Sequence, residues 1–295
     1  MNHVIITPVF NEAQHLNTFI KSIISQTLPP STFCLVDDNS TDSSAEIIKK
    51  YSSKYPWIKY VYHKSEDHKS QGGKIVNAFN YGLSKLDISS ASFLSKIDAD
   101  LELPNDYFEK ISQVFSNNQN TGICGGKIIE NTNGQWVKTI QGDYFVRGAL
   151  KSYRLKCFKE IGGLKPVLGW DGLDIMMALN KNWETCVLPI DVKHFRVASS
   201  DYDVSELNFR LGIANYQNGS NLFLTLIRST VKFWRQRSLK GGHSFLKGYL
   251  KARKEKLPMN VDDDLKRFIN NFHMKRIFSL KVILGKLRKQ KTNRN

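Results

Sequence analysis

From residue 4 to residue 115 the chain alternates short β-branched apolar runs with longer segments of helical period, and this alternation limits the fold more than any other feature. Residues 4–10 form the first apolar run, after which Leu16, Phe19, Ile20, Ile23 and Ile24 recur at helical spacing. Residues 33–36 repeat the strand, and Ser40 or Thr41 stands where a helix through Ile47 and Ile48 needs a cap. Strand-like 58–62, helical 75–86, strand-like 93–97 and helical 105–115 continue the series. A βαβα series predicts an α/β fold, with a mostly parallel sheet flanked by helices and ligands outside the carboxyl ends of the strands. Polar residues just past strand ends are therefore the functional candidates. Beyond residue 120 the pattern loosens: 122–129, 144–146 and 185–195 read as strands and 171–179 as a helix. This half is expected to receive the second substrate.

With 41% hydrophobic residues in a chain of 295, a buried core is readily formed. Cys34, Cys124, Cys157 and Cys186 form neither a C-x-x-C pair nor a dense framework, which fits a reducing compartment. The opening residues lack a basic leader and a long apolar core, so no signal peptide is expected. The longest uncharged stretch, between Arg210 and Arg228, contains Asn215, Gln217, Asn218 and Asn221, which argues against a spanning helix. The expected location is the cytoplasm, either free or peripheral on the inner face of the membrane.

Charge is unevenly distributed. Residues 228–295 hold 20 Lys and Arg against 4 Asp and Glu, the whole of the net charge of +16, so the chain before them is neutral. This shift predicts a domain of residues 1–225 followed by a basic helical extension, 226–295. In the extension Phe245, Leu246, Tyr249 and Leu250 form one apolar stripe, and Ile277, Leu280, Leu284 and Leu287 another, both beside Lys and Arg. Such stripes either pack on protein or lie on an anionic membrane surface.

Four places carry candidate chemistry. Asp37 and Asp38 close the second strand, where a carboxylate accepts hydrogen bonds from a base N–H or a ribose hydroxyl, or forms an Asx turn. Asp98-Ala99-Asp100 follows the fourth strand; two carboxylates one residue apart suit a hard divalent cation that bridges diphosphate oxygens, or else a polar turn. Asp171 stands at a helix start, where the dipole favours a carboxylate, and Asp174 one turn on; a general base requires one such group facing the donor. His194 ends the last strand as a metal ligand or an ordinary polar residue, and the other six histidines show no ligand spacing.

These elements together resemble the family 2 glycosyltransferases, whose fold is GT-A. Ile6-Thr7-Pro8-Val9-Phe10-Asn11-Glu12 is similar to the family's first-strand motif, and Val36-Asp37-Asp38-Asn39-Ser40-Thr41-Asp42 to its nucleoside-binding turn. Gly72-Gly73-Lys74 with Asn77-Ala78-Phe79-Asn80-Tyr81-Gly82 is similar to its glycine, basic residue and asparagine segment, and Asp98-Ala99-Asp100 to its D-x-D. The resemblance covers about residues 3–200. It implies an inverting transfer from a nucleotide-sugar donor to a hydroxyl of a glycan or lipid-linked acceptor. Pro8, Phe10 and Glu12 would border the nucleoside, Asp38 bond the base, and Lys74 sit near the phosphates. Asp98 would reach the ribose or a metal-bound water, and Asp100, with Asp98 and His194 beside it, would hold Mn2+ or Mg2+. At the base position many relatives have Glu-Asp followed by a further Asp, where this chain has Trp170-Asp171-Gly172-Leu173-Asp174; Asp171, in the loop or first turn before the helix, is the expected base and Asp174 the second choice. UDP is the default nucleotide; dTDP and GDP also present a ring N–H to Asp38.

Rival readings are weaker. A nucleic-acid-binding protein would use the basic extension with Phe233, Trp234 and Tyr249, but the neutral body with carboxylates at its strand ends favours an enzyme. A catalytically silent sugar-binding protein would lack a key carboxylate, and none is missing. A processive synthase would require membrane-spanning segments for export.

Overall fold

The computed structural model describes residues 1–65, 73–132, 134–139, 141–195, 203–236 and 239–279. It divides into two compact units, Met1–Ser200 and Asp201–Asn295.

The first unit opens with β1 (His3–Val9), α1 (Ala13–Ile24), β2 (Thr32–Asp37), α2 (Ser44–Lys54), β3 (Ile58–Tyr62), α3 (Gly73–Ser84) and β4 (Phe93–Ile97). There follow β5 (Leu101–Glu102), α4 (Tyr107–Asn117), β6 (Thr121–Thr132), β7 (Gln135–Lys138), β8 (Leu150–Arg154), α5 (Leu155–Glu160), α6 (Trp170–Asn180) and β9 (Glu184–His194). The strands join in one nine-stranded sheet, ordered β3-β2-β1-β4-β8-β6-β9-β5, with β7 on β6. The β3-β2-β1-β4 half is parallel throughout, as the βαβα series predicts. In the other half β8 runs antiparallel to β4 and β6, and β5 to β9, while β6 and β9 are parallel.

The period of two along the central strands builds two layers. Ile5, Phe33 and Leu35 share a core with Phe19 and Ile23 of α1 and with Tyr107, Phe108 and Ile111 of α4. Ile6, Cys34 and Val36 turn the other way, against Gly82 of α3. The central strands β1, β2 and β4 are buried on both faces, so the residues open to a ligand there are those just past their carboxyl ends.

One sequence expectation needs correction here. Residues 144–146 are not a strand: Phe145 N–H donates to Gly142 O in a turn, and Gln141 Nε2 binds Phe145 O. The strand lies instead at Leu150–Arg154, whose Lys, Ser and Arg hide its period because they are paired inside the protein. Residue 225, beside the composition shift, falls within α8 (Leu222–Gln236). The composition shift follows charge, whereas Thr225 is fully buried and its hydroxyl accepts from Asn215 on the preceding helix, at 2.8 Å.

The second unit contains α7 (Val204–Gln217), α8, α9 (Leu239–Lys254) and α10 (Asp263–Phe278). Helices α7 and α9 cross with their backbones nearly touching. A Cβ on Gly212 would stand 2.0 Å from Phe245 O, and one on Gly248 2.0 Å from Phe209 O, so any side chain there forces the helices apart. Phe245 and Tyr249 of the expected stripe are accordingly buried, while Leu250 is exposed. Leu280, Leu284 and Leu287 lie outside the described residues. Among those described, no helix is long and apolar enough to cross a membrane.

Candidate active site

The loops after β1 and β2 are laced together by side chains. Asn11 Oδ1 accepts from Thr41 N–H at 2.8 Å, Ser40 Oγ from Asn11 N–H at 3.1 Å, and Asp42 Oδ2 from Ala13 N–H at 3.0 Å. Asn11 and Asn39 both take positive φ, 54° and 63°, which asparagine tolerates better than most residues. The two neighbouring aspartates divide their tasks. Asp37 holds the turn, accepting from Ser40 N–H at 3.0 Å and Tyr60 Oη at 3.2 Å. Burial, then the charge of Asp37, pushes the Tyr60 hydroxyl up to about 12, so it remains a donor. Asp38 instead meets His63 just past β3, Nδ1 to Oδ1 at 2.7 Å, and the imidazole lies 4.5 Å from the Tyr81 ring. His63 was missed in the sequence reading because nothing marks it locally; only the β2·β3 register brings it beside Asp38.

Around this turn, Pro8 is buried opposite Val36, Phe10 is 55% exposed and Glu12 is half-buried ahead of α1. Lys74 lies half-buried in the first turn of α3; Gly72 lies outside the described residues.

The Asp98–Asp100 turn links three elements. Asp98 N–H donates to Ala149 O at 2.8 Å, just before β8, and its carboxylate contacts Lys96 Nζ directly. Burial raises the Asp98 carboxyl, against the pull of Lys96 and with the push of Asp100. Asp100 Oδ2 lies 3.2 Å from His194 Nε2, the partners being fixed by the Leu101–His194 pairing of β5 and β9. Glu130 Oε1 stands 3.8 Å from His194 Nδ1, too far for a hydrogen bond, and that buried nitrogen has none. Burial lowers the imidazolium of His194, but the bond to Asp100 and the charges of Asp100, Asp98 and Glu130 outweigh it and raise its pKa. Thus Asp100 and His194 meet, while Asp98 is tied to Lys96. Among the described residues no three or more His, Cys, Asp and Glu side chains gather as a metal cluster.

The two candidate bases differ sharply. Asp171, in the first turn of α6, is half-buried. It abuts Gly148, where a Cβ would lie 2.9 Å from Asp171 Cβ and 3.3 Å from Oδ2; only glycine admits the helix start this close to Ala149 and the D-x-D turn. Asp174 is 2% exposed and fully engaged: it accepts from Lys151 Nζ at 2.6 and 2.8 Å and from Tyr153 Oη at 2.5 Å. Burial pushes its carboxyl up, against the pull of Lys151 and the Tyr153 hydrogen bond. No acceptor hydroxyl reaches such a group without breaking the pair.

Beneath both aspartates lies a pair of buried lysines absent from the sequence-based candidates. Lys96 and Lys151 are opposite each other in the β4·β8 register, 1% and 0% exposed. Like charges in that position repel, and each is offset separately: Lys96 by Asp98 and Gly148 O, Lys151 by Asp174 and Asp171 O. The Trp170 ring serves both, 5.2 Å from Lys96 Nζ and 5.4 Å from Lys151 Nζ. A lysine inside a strand that leads into D-x-D was the available signal.

Residues 4–168, more than half of the chain, match the family described as Glycosyl transferase family 2. The chain belongs to this family. The minor teichoic acid biosynthesis protein GgaB of Bacillus subtilis (strain 168) is 32% identical over 118 residues, 39% of this chain and 12% of that protein. The glycosyltransferase YibD of Escherichia coli (strain K12) is 25% identical over 140 residues, 47% of this chain and 38% of its own. The match thus spans well under half the length of both relatives. Among solved structures, residues 1–349 of S. aureus TarS in complex with UDP align with a TM-score of 0.54 at 14% identity, over 90% of this chain and 95% of that fragment. The mannosyltransferase PcManGT from Pyrobaculum calidifontis, in complex with GDP-Man and Mn2+, aligns at 0.56 and 13%, over 99% and 79%. These glycosyltransferases share the GT-A fold with this one.

Proposed function

We propose that this glycosyltransferase moves a sugar from a nucleotide-sugar donor, UDP-linked by preference, to a hydroxyl of a glycan or lipid-linked acceptor with inversion at the anomeric carbon. The observation that carries the reading is the contact chain along the sheet's carboxyl edge. It runs from Asp171 against Gly148, through Ala149 and the Asp98–Asp100 turn, to His194. In this reading Asp38, oriented by His63, accepts the ring N–H of the base, and Pro8, Phe10 and Glu12 border the nucleoside. Lys74 stands near the phosphates and Asp98 reaches the ribose.

Asp100 and His194 fit a divalent ion in donor chemistry: a carboxylate oxygen and an imidazole nitrogen in contact, with a second imidazole nitrogen buried and without a hydrogen bond. Mg2+ and Mn2+ commonly take one or two protein ligands and complete their shell with nucleotide phosphates and water. When bound, such an ion offsets the charge that develops on the departing diphosphate. Asp171 takes the acceptor proton as the hydroxyl attacks, a role open to it because it is half-buried and to Asp174 closed by Lys151 and Tyr153. The complexes of the solved relatives with UDP and with GDP-Man and Mn2+ support a nucleotide-sugar donor.

The test is nucleotide release from a panel of UDP-, dTDP- and GDP-sugars with and without Mn2+. Release from a UDP-sugar that depends on Mn2+ is expected. Release from none of the panel, with the protein folded, contradicts the reading.

A further inference from the structure

A surface helix of a folded protein normally turns its apolar face to the core and its charges to water. Helix α8 buries Leu224 but also leaves a row of large apolar side chains exposed. Phe223, Leu226, Val231 and Trp234 are 48%, 43%, 43% and 77% exposed, and with Thr230 they form an outward side that carries no charge. Their spacing of three and four places them on one flank of the helix. The opposite flank, which faces the rest of its unit, holds Arg228 and Lys232. Arg228 Nη1 binds Asn215 Oδ1 and lies 2.7 Å from Ser220 Oγ, and Lys232 Nζ donates to Asn208 Oδ1 at 2.8 Å. Lys232 also stands 5.1 Å from the Phe245 ring, and Ser229 Oγ donates to Gly242 O of α9 at 2.8 Å. The hydrogen bonds of Arg228 and Lys232 fix the rotation of the helix about its axis, so the apolar side is held outward.

We propose that this side of α8 lies in the headgroup region of an anionic membrane. Charge selects the occupant. Residues 228–295 hold the whole net charge of +16, and Lys247, Arg253, Lys254, Lys256 and Lys275 are exposed. A second copy of the chain brings the same excess charge to such a contact and is repelled, whereas anionic lipid is attracted, each basic residue near the surface adding to the binding. The side chains agree with the location. Phenylalanine and leucine enter the acyl boundary, and tryptophan is favoured at headgroup depth. At 15 residues, or about 22 Å at 1.5 Å per residue, α8 suits a position in the plane of the interface. This inference stands on the apolar side of α8 and the basic charge of residues 228–295 and does not depend on the donor, metal or base assigned above; it would hold the enzyme where lipid-linked acceptors are found.

The experiment is co-sedimentation of the full chain with phosphatidylcholine vesicles containing phosphatidylglycerol, at low and high salt, and with phosphatidylcholine alone. The comparison protein carries Phe223→Ser, Leu226→Ser and Trp234→Ser, all outward, with Trp234→Ser alone as the milder variant. Expected is salt-sensitive binding to the anionic vesicles, and a loss of about tenfold or more in the triple variant at an unchanged melting temperature. UDP affinity, read in the same preparations, is expected to be equal in all of them, which separates this test from that of the proposed function. If the wild type fails to bind, or both variants bind as the wild type does, the inference is overturned. It is equally overturned if the wild type sediments as a dimer that the variants split, which would give the face to a second copy.

Discussion

Replacing Asp174 with asparagine leaves the Lys151 ammonium, 0% exposed and close to Trp170, without the anion that offsets it. Asparagine keeps an oxygen for Tyr153 Oη but no charge for Lys151. Removing one member of a buried ion pair costs about 3–5 kcal/mol, because the desolvated partner remains. In a unit of about 200 residues each kcal/mol lowers the midpoint by roughly 2–4 °C, so Asp174→Asn is expected to melt about 6–20 °C below the wild type. Thermal denaturation followed by circular dichroism, with urea unfolding as a check, measures this. The double variant Lys151→Met, Asp174→Leu is expected to regain most of the loss, since an apolar pair often replaces a buried ion pair without penalty. A single variant that melts within about 2 °C of the wild type, on the same scale, yet has lost transfer, would refute this account of Asp174 and make it the base.

Three further outcomes follow from the same structure. His3 is fully buried against Phe93 and Phe108 with neither ring nitrogen hydrogen-bonded, and burial, then the N-terminal charge, lowers its pKa from 6.5 to about 3. The unfolded chain therefore binds the extra proton between those values: stability is complete above pH 6.5 and falls as pH drops toward 3, by about 2 kcal/mol at pH 5. Urea midpoints at pH 7 and pH 5 are expected to differ less in His3→Leu than in the wild type, and equal differences contradict the assignment. His63→Ala frees the Asp38 carboxylate and is expected to weaken UDP binding about tenfold by calorimetry; an unchanged affinity removes His63 from the site. Asp100→Asn is expected to abolish the Mn2+ dependence of UDP binding, and a retained dependence places the ion elsewhere.

Legibility in the sequence depended on whether local pattern or long-range pairing decides a residue's place. Helices α1 to α4 were readable because each buries one face, which leaves a period of 3.6, and strands β1, β2 and β4 because burial on both faces leaves short continuous apolar runs; the two-residue strand β5 left no such pattern. The positions of Asp38, the D-x-D turn and Asp171 just past strands or at a helix start were readable because the local pattern alone fixes those element ends. Strand β8 was not, since Lys151, Ser152 and Arg154 are satisfied by partners 20 to 57 positions away. The same pairing separates Asp174 from Asp171, which sequence spacing alone left as rivals. The apolar side of α8 was not read from the sequence, since which flank faces outward is set by Asn208 and Asn215 on α7.

The most direct test of the central claim compares Asp171→Asn with the wild type in two measurements on one preparation: UDP affinity by calorimetry, and the rate of sugar transfer from the donor that the panel identifies. The Asp171 side chain occupies the space beside Gly148 that a Cβ there would fill, with no ion pair holding it in place among the described residues, so the substitution is expected to leave the fold and the nucleotide end of the site intact. Transfer is expected to slow about 10²–10⁴-fold, the usual contribution of a general base, at unchanged UDP affinity. A folded Asp171→Asn protein that transfers sugar at the wild-type rate contradicts the assignment of the base, and with it the reading of this edge of the sheet as the place where the acceptor hydroxyl is deprotonated.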